Sequence, residues 1–338
     1  MQAVVFQNGV PVIAEVPEPT AGTGEVLVAV EFCGICGSDL HVSAPGYLDG
    51  TIMGHEFAGR ISALGAGVTG WSIGDKVAVN PNGVWCETCP RCLAGESNLC
   101  LNLASYSVGQ AVPGGLARLV AVSARRLVKL PGDMTTKQGA WLEPLAVAVR
   151  AVNRATLRPT DIVLVLGAGP IGLLATAVLR ARDAARIVVM EYSEARRHTA
   201  SAMGAHRVID PTQEDPDSVF REEGAPDVVI ECTGAPGGFG AALRLIRPGG
   251  TVVVVGYSKK TPTFRTEDLL FKEIDVRGSF IYRNEWSEAV ELLSRGSVDI
   301  EPLTSGVLPL EDALKAFDLM KTSSTALKYL LTVDRTDR

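Results

Sequence analysis

The sequence has no apolar run that reads as an unbroken membrane span. The uncharged stretch most easily mistaken for one, Ile162 to Leu179, covers 18 residues. Gly167, Gly169, Pro170 and Gly172 break it in the middle, as a strand, a turn and a helix do. Basic charge is not in surplus: 32 Lys and Arg stand against 38 Asp and Glu, a net charge of −6. That argues against a face for nucleic acid or for an anionic membrane. Blocks of like charge are missing too, and the densest acidic patch, Glu214 to Asp217, reads as a solvated loop. No basic segment precedes the first apolar residues, so residues 1–6 read as the first strand of the fold and not as a targeting signal. Internal repeats and low-complexity segments are absent.

What is present is ordinary globular material. The 338 residues are 46% hydrophobic and 21% charged, enough for about two domains. The seven cysteines, Cys33, Cys36, Cys86, Cys89, Cys92, Cys100 and Cys232, are spaced as metal ligands and not as a disulfide framework. A reducing, cytoplasmic compartment is the matching expectation, because it keeps thiolates available.

Two grammars follow one another along the chain. Up to about residue 130, short β-like runs such as Val26–Phe32, Phe57–Leu64 and Lys76–Val79 alternate with glycine turns, which predicts a barrel-like β unit with the cysteines in its loops. From Glu143 the pattern is helical, and then strands and helices alternate: Ile162–Leu166, Arg186–Met190, Arg207–Ile209, Asp227–Glu231 and Thr251–Val255 are the strands. Such alternation predicts a parallel sheet covered on both faces. The last segments, helical at Glu285–Ser294 and Glu311–Lys321 and extended at Ala326–Val333, are assigned back to the first domain because the alternation stops.

Gly167-Ala168-Gly169-Pro170-Ile171-Gly172 follows an apolar strand and opens an apolar helix, the context that gives G-x-G-x-x-G its meaning. The first glycine permits the turn, the second lets backbone approach a pyrophosphate, and the third allows helix and strand to pack. The helix N-terminus faces the phosphates. Glu191, 19 residues after Gly172, is placed to accept from ribose hydroxyls and to repel a 2′-phosphate, which favours NAD(H) over NADP(H). Arg196 and Arg197 stand close by in sequence, where a flexible guanidinium could meet a phosphate.

Two metal constellations stand apart. Cys86, Cys89, Cys92 and Cys100 offer four sulfurs within 15 residues, a set that closes a tetrahedron around Zn2+ and leaves no open position. The second set is dispersed: Cys36, then Gly54-His55-Glu56, then Glu143. One sulfur, one imidazole and one or two carboxylates suit zinc with an exchangeable position. Spacing alone does not join them.

Cys33-Gly34-Ile35-Cys36-Gly37-Ser38-Asp39-Leu40-His41, Gly54-His55-Glu56, the four-cysteine segment, Glu143-Pro144-Leu145-Ala146-Val147 and the glycine turn occur in one order. Together they resemble the zinc-dependent medium-chain dehydrogenase/reductase family, essentially end to end. The Glu-Pro-Leu-Ala form at 143 resembles the sorbitol, threonine and butanediol dehydrogenase branches. The resemblance implies an α/β protein, with a GroES-like β-barrel catalytic domain from residues 1–147 and 281–338, a structural zinc lobe at about 86–100, and a Rossmann doubly wound parallel sheet at 148–280. It implies two zinc ions per chain and a homo-oligomer, tetramer or dimer. Cys36 and His55 would be ligands of the catalytic zinc, Glu56 a ligand or one alternating with water, and Glu143 a ligand directly or through water. Asp39 would orient His55, while Ser38 would take the proton of the substrate hydroxyl and pass it towards His41. The implied activity is transfer of hydride between a secondary alcohol and NAD, giving a ketone. The alternatives are a zinc-free quinone or enone reductase on the same fold and a non-catalytic zinc- and NAD-binding protein. Departures from the polyol branch are the short interval between Cys36 and His55, Val42 after the relay histidine, and Ile281-Tyr282 ahead of Asn284-Glu285-Trp286. They replace hydrogen-bonding groups by apolar ones and point to a substrate less hydroxylated than sorbitol.

Overall fold

The computed structural model describes residues 1–40, 48–184 and 186–333. They form two compact units, one of Met1–Glu143 with Thr304–Arg338 and one of Pro144–Leu303.

In the first unit, β1 (Gln2–Gln7) and β2 (Val10–Glu15) form an antiparallel hairpin. The main sheet is built on β3 (Glu25–Gly34), whose alternating Val26, Val28 and Val30 point into the core as the two-residue period of a strand requires. One side of β3 pairs with β4 (Glu56–Leu64), which in turn carries β5 (Lys76–Val79). Two strands bond β3 elsewhere along its length: β6 (Leu119–Ser123) along Glu25–Ala29, and a strand from the chain's far end along Phe32–Gly34. β7 (Leu127–Lys129) closes on β5. A strand with three partners forces the sheet to bend around its core, the barrel-like form expected.

The second unit is a parallel sheet of six strands: β8 (Ile162–Leu166), β9 (Arg186–Met190), β10 (Arg207–Ile209), β11 (Val228–Glu231), β12 (Thr251–Val254) and β13 (Asp275–Gly278), in the order β10-β9-β8-β11-β12-β13. Val163, Leu164, Val165 and Leu166 are all buried, as are Val228, Val229 and Ile230, because helices cover both faces of a parallel sheet. The order reverses between β8 and β11, and the ligand crevice of such sheets lies beyond the strand ends at that switch. The chain then returns to the first unit as β14 (Thr304–Pro309) and β15 (Lys328–Thr332), with the helix Ala313–Thr322 between them.

Two expectations change. The second boundary falls at Leu303/Thr304 and not near residue 280. The helix Trp286–Ser294 belongs to the second unit, because the buried Glu285 accepts from Arg150 at 3.1 Å and from Asn153, and Glu288 pairs with Arg182. The first boundary falls at Glu143/Pro144. The acidic patch at 214–217 is a loop only in its first half: Glu214 and Asp215 precede a helix, Pro216–Glu223, that takes in Asp217. Asp215 caps it by accepting from the N–H groups of Asp217 and Ser218, Pro216 sits in its first turn, and acidic residues there suit the positive end of the helix. Among the described residues no helix is long and apolar enough to cross a membrane.

Candidate active site and cofactor turn

Cys36 lies just beyond the end of β3, where a 3-10 turn, Gly37–Leu40, begins. Asp39 builds that turn. Its N–H donates to the Cys36 carbonyl at 3.1 Å, and its Oδ2 accepts from the Cys36 N–H at 2.9 Å. The Ser38 N–H points at the Cys36 sulfur at 3.5 Å, and Ser38 itself is exposed. His55 and Glu56 arrive on the other side, at the start of β4. Gly54 makes that entry possible: its φ is +96°, and a Cβ there would lie 2.7 Å from Cys33 Sγ and 2.8 Å from the Leu116 nitrogen. The ligand atoms of Cys36, His55 and Glu56 lie within 4.8 Å of one another. Glu143 is not in that trio, although it is buried and its charge is felt at His55.

The electrostatics are those of a buried, charged nest. Burial alone would depress the His55 imidazole. The carboxylate of Asp39, then the Cys36 sulfur and Glu143, overcome burial and hold it well above its ordinary value. Asp39 Oδ1 stands 3.6 Å from His55 Nδ1, beyond hydrogen-bond length, and that buried nitrogen has no hydrogen-bond partner among the described residues. Burial pushes the Asp39 carboxyl up, against the pull of His55.

Sequence reasoning missed Lys328. It lies at the start of β15, only 2% exposed, with its Nζ 2.5 Å from Glu56 Oε2 and 3.1 Å from the Ile35 carbonyl. It also stands 5.5 Å from the centroid of the Trp141 ring. Burial would lower its pKa, but Glu56, Cys36 and Glu143 raise it. The one available signal was a lone charge inside the apolar run Ala326–Val333, since a lysine buried in a strand needs a partner.

The four cysteines at 86–100 form the second cluster. Cys86 and Cys92 sulfurs are 3.8 Å apart, Cys89 and Cys92 3.4 Å, Cys100 and Cys86 3.5 Å. Four thiolates at about 2.3 Å from one zinc ion stand roughly 3.8 Å from each other, so the cradle fits. Backbone hydrogen bonds at Thr88 and Cys89 hold the Cys86 thiol down to about 5, whereas burial, then the neighbouring thiols of Cys89 and Cys100, push Cys92 up to about 12. Sulfurs this crowded do not all ionise without a cation among them. The Cys36, His55 and Glu56 trio fits zinc as well, with three donors of mixed kind and a buried imidazole nitrogen facing an acid.

In the second unit, three glycines at the turn after β8 answer to three different constraints. Gly167 has φ +90°. A Cβ on Gly172 would lie 2.0 Å from the Gly167 carbonyl, so helix and strand could not meet. Among the described residues a Cβ on Gly169 would touch nothing within 4 Å, so packing against them does not require that glycine. Gly169 caps the helix Pro170–Ala181, and Ile171 in its first turn is half-buried. Glu191 lies over the turn, accepting from the N–H groups of Ala168 at 2.7 Å and Ser193 at 2.9 Å. Arg197 is committed elsewhere, to Asp210 at 2.8 Å and to the carbonyls of Glu191 and Tyr192. Arg196 shares its helix, Glu194–Ala202. His41 and Val42 lie outside the described residues.

Residues 22–132 match the family described as alcohol dehydrogenase GroES-like domain, and residues 170–295 match zinc-binding dehydrogenase. A sorbitol dehydrogenase of Gallus gallus is 35% identical, covering 100% of this chain and 98% of its own. The chain belongs to the zinc-dependent medium-chain dehydrogenase family. Its reaction class is therefore that of a zinc-dependent alcohol or polyol oxidoreductase, on a GroES-like domain joined to a Rossmann-like parallel sheet. Two solved structures bear on the cofactor turn. An alcohol dehydrogenase from Escherichia coli complexed with NADH superposes with a TM-score of 0.91 at 29% identity, covering 98% of this chain and 99% of its own. A zinc-binding dehydrogenase from Sinorhizobium meliloti bound to NADP gives 0.89 at 30%, covering 98% of each chain. Members of this family with nearly the same backbone thus differ in nicotinamide cofactor.

Proposed function

We propose that the protein oxidises a secondary alcohol to a ketone, and reduces it back, with NAD(H), using one zinc ion held by Cys36, His55 and Glu56 and a second held by the four cysteines at 86–100. The observation that carries this reading is the meeting of Cys36, His55 and Glu56 within 4.8 Å. Three protein donors leave a fourth position for a hydroxyl group, whereas four cysteines leave none. Zinc in the first site would acidify a hydroxyl beside it, as it lowers the pKa of bound water to about 7. The chain's own residues do the rest. Ser38, exposed at the turn that carries Cys36, accepts the hydroxyl proton. His41 passes it to solvent, a task suited to an imidazole of ordinary pKa near 6.5. Asp39 fixes both flanks of the site, holding the Cys36 turn through Oδ2 and facing His55 through Oδ1. Glu143 adds negative charge, directly or through water. A nicotinamide cofactor held at the glycine turn would supply the acceptor for the hydride of the alcohol carbon.

Gly167, Gly169, Pro170, Ile171 and Gly172 would receive the pyrophosphate, with Arg196 near the adenosine end. Glu191 supports NAD: a carboxylate already fixed by two backbone N–H groups meets ribose hydroxyls at no ordering cost and repels a 2′-phosphate. The commitment of Arg197 to Asp210 leaves it unsuited to that phosphate. Ile281, held at φ +41°, offers no hydrogen bond, which supports a substrate less hydroxylated than a hexitol. A homo-oligomer, as tetramer or dimer, is supported by the edge strand β13, in which Val276 is exposed, and by the segments before and after it, in which Leu270, Phe271 and Phe280 are exposed, Phe271 by 79%. An open edge with apolar flanks is ordinarily covered. A cytoplasmic setting is supported by seven free cysteines.

The test is NADH formation with sorbitol, xylitol, 2,3-butanediol, threonine and cyclic secondary alcohols, with and without a zinc chelator, repeated with NADP. Chelator-sensitive turnover of one class, faster with NAD, is the expected result. Absence of turnover on all of them, in protein holding one zinc per chain, would overturn the reading in favour of a binding protein. Faster turnover with NADP would overturn the role given to Glu191.

A further inference from the structure

Three strands meet where Glu56 ends. Gly34 of β3 pairs with Glu56 of β4 on one side and with Leu330 of β15 on the other, and β15 begins at Lys328. A Cβ on Gly34 would lie 2.4 Å from Glu56 Oε2, so the absence of a side chain there reserves the room that this carboxylate occupies. Lys328 is fixed from three directions, by the Ile35 carbonyl, the Glu56 carboxylate and the face of Trp141. Glu56 itself is 1% exposed. One buried carboxylate therefore stands between two cationic positions: the ammonium of Lys328, which it touches, and the position enclosed with Cys36 and His55.

We propose that Lys328 is a positioning residue that tethers Glu56 and so weakens its hold on the metal, keeping the position of Glu56 itself exchangeable while the alcohol comes and goes at the fourth. This rests on the reading of Cys36, His55 and Glu56 as a metal site. The physical argument is competition for one anion. A buried carboxylate needs a cationic partner. While Lys328 supplies it, Glu56 shares its charge and ligates weakly or in alternation with water. With the ammonium removed, the metal is the remaining cation, and Glu56 becomes a permanent ligand. Three permanent protein donors leave only the fourth position exchangeable, so an arriving or departing alcohol can no longer displace Glu56 in passing and the metal is held more tightly. The Ile35 carbonyl and Trp141 face hold the ammonium without neutralising it, so its charge stays available to Glu56.

The experiment compares wild type, Lys328→Met, Lys328→Gln, Lys328→Arg and the double variant Lys328→Met/Glu56→Gln, each zinc-loaded. Zinc release to a chromogenic chelator is followed in time, with the phase belonging to the Cys36 site identified by its loss in Cys36→Ser. The visible absorption of the cobalt-substituted proteins is recorded alongside. In Lys328→Met that phase is expected to slow by roughly tenfold, the scale on which groups behind metal ligands act, with shifted cobalt bands and a lower kcat. Lys328→Gln, which keeps a donor for Glu56 and leaves less unpaired, moves the same way by a smaller factor, so the test survives a Lys328→Met protein that fails to fold. Lys328→Arg restores wild-type release, and the double variant releases at least as fast as wild type. Unchanged release and unchanged cobalt bands in both neutral variants, whatever happens to kcat, would show that Lys328 only supports the fold and would overturn the proposal. Wild type holding a single zinc would instead overturn the metal-site reading, and this inference with it.

Discussion

The two clusters of the first unit hold comparable donors in opposite surroundings. Between Cys86 and Cys100 the buried residues are Cys89, Asn98 and Cys100, while Leu93, Leu99 and Leu101 beside them are exposed. Among its described residues that segment has no apolar interior, and on the reading proposed above a metal would take the place of one. Cys36, His55 and Glu56 instead stand at the end of β3 and the start of β4, strands whose Val26, Val28, Val30, Phe57 and Ile61 belong to one apolar core. Their surroundings rest on that core, so on the same reading the charges there, Asp39, Glu56, Glu143 and Lys328, would be available for chemistry. A cluster whose surroundings are already folded can leave a position open. A cluster that is its own core cannot.

The most severe test of this contrast is one substitution in each cluster. Cys36→Ser is expected to take turnover to background while NADH binding, followed by fluorescence titration, stays within a few-fold of wild type, since the glycine turn belongs to the other unit. Equal loss of NADH binding would break the separation of roles. Cys100→Ser is expected to act the other way round, lowering Tm on the order of 10 °C, with kcat per folded molecule preserved. Thermal scans with and without chelator check it. A Cys100→Ser protein as stable as wild type but inactive would invert the comparison.

The same contrast explains what could be read in advance. The four-cysteine cluster was legible from spacing, because its ligands are neighbours in the chain and their number alone specifies a closed tetrahedron. The glycine turn was legible for a similar reason, since strand, turn, helix and acid follow within one βαβ unit. The Cys36 cluster was not legible from spacing. Its members are joined by the pairing of β3 with β4, a contact between distant segments, and only the resemblance brought them together. Lys328 escaped altogether, because its partner Glu56 lies 272 positions away and nothing local marks the pair beyond a charge in an apolar strand. The misplaced boundary near residue 280 has the same cause: Glu285 finds Arg150 at a separation of 135, which helical periodicity does not encode.

A finer test lies in the acids beside each cluster. Asp39 is buried, caps the Cys36 N–H and faces His55. Asp39→Asn keeps the size of the side chain but removes the charge that opposes burial at His55. Metal affinity at that site, or kcat, is expected to fall by roughly 10–100-fold, measured by competition with a chelator and by steady-state rates. Glu87 sits between Cys86 and Cys89, exposed and paired with an equally exposed Arg125. A pair in water is screened and loses side-chain freedom to form, so it contributes little. Glu87 also has φ +60°, so the substitution must keep the backbone tolerable, and Glu87→Gln does. It is expected to leave Tm within about 1 °C and the chelator-release phases unaltered. A marked loss of zinc from Glu87→Gln would mean that the four-cysteine cluster also depends on charge around it, and the distinction between a cluster that is a core and a cluster that rests on one would fail.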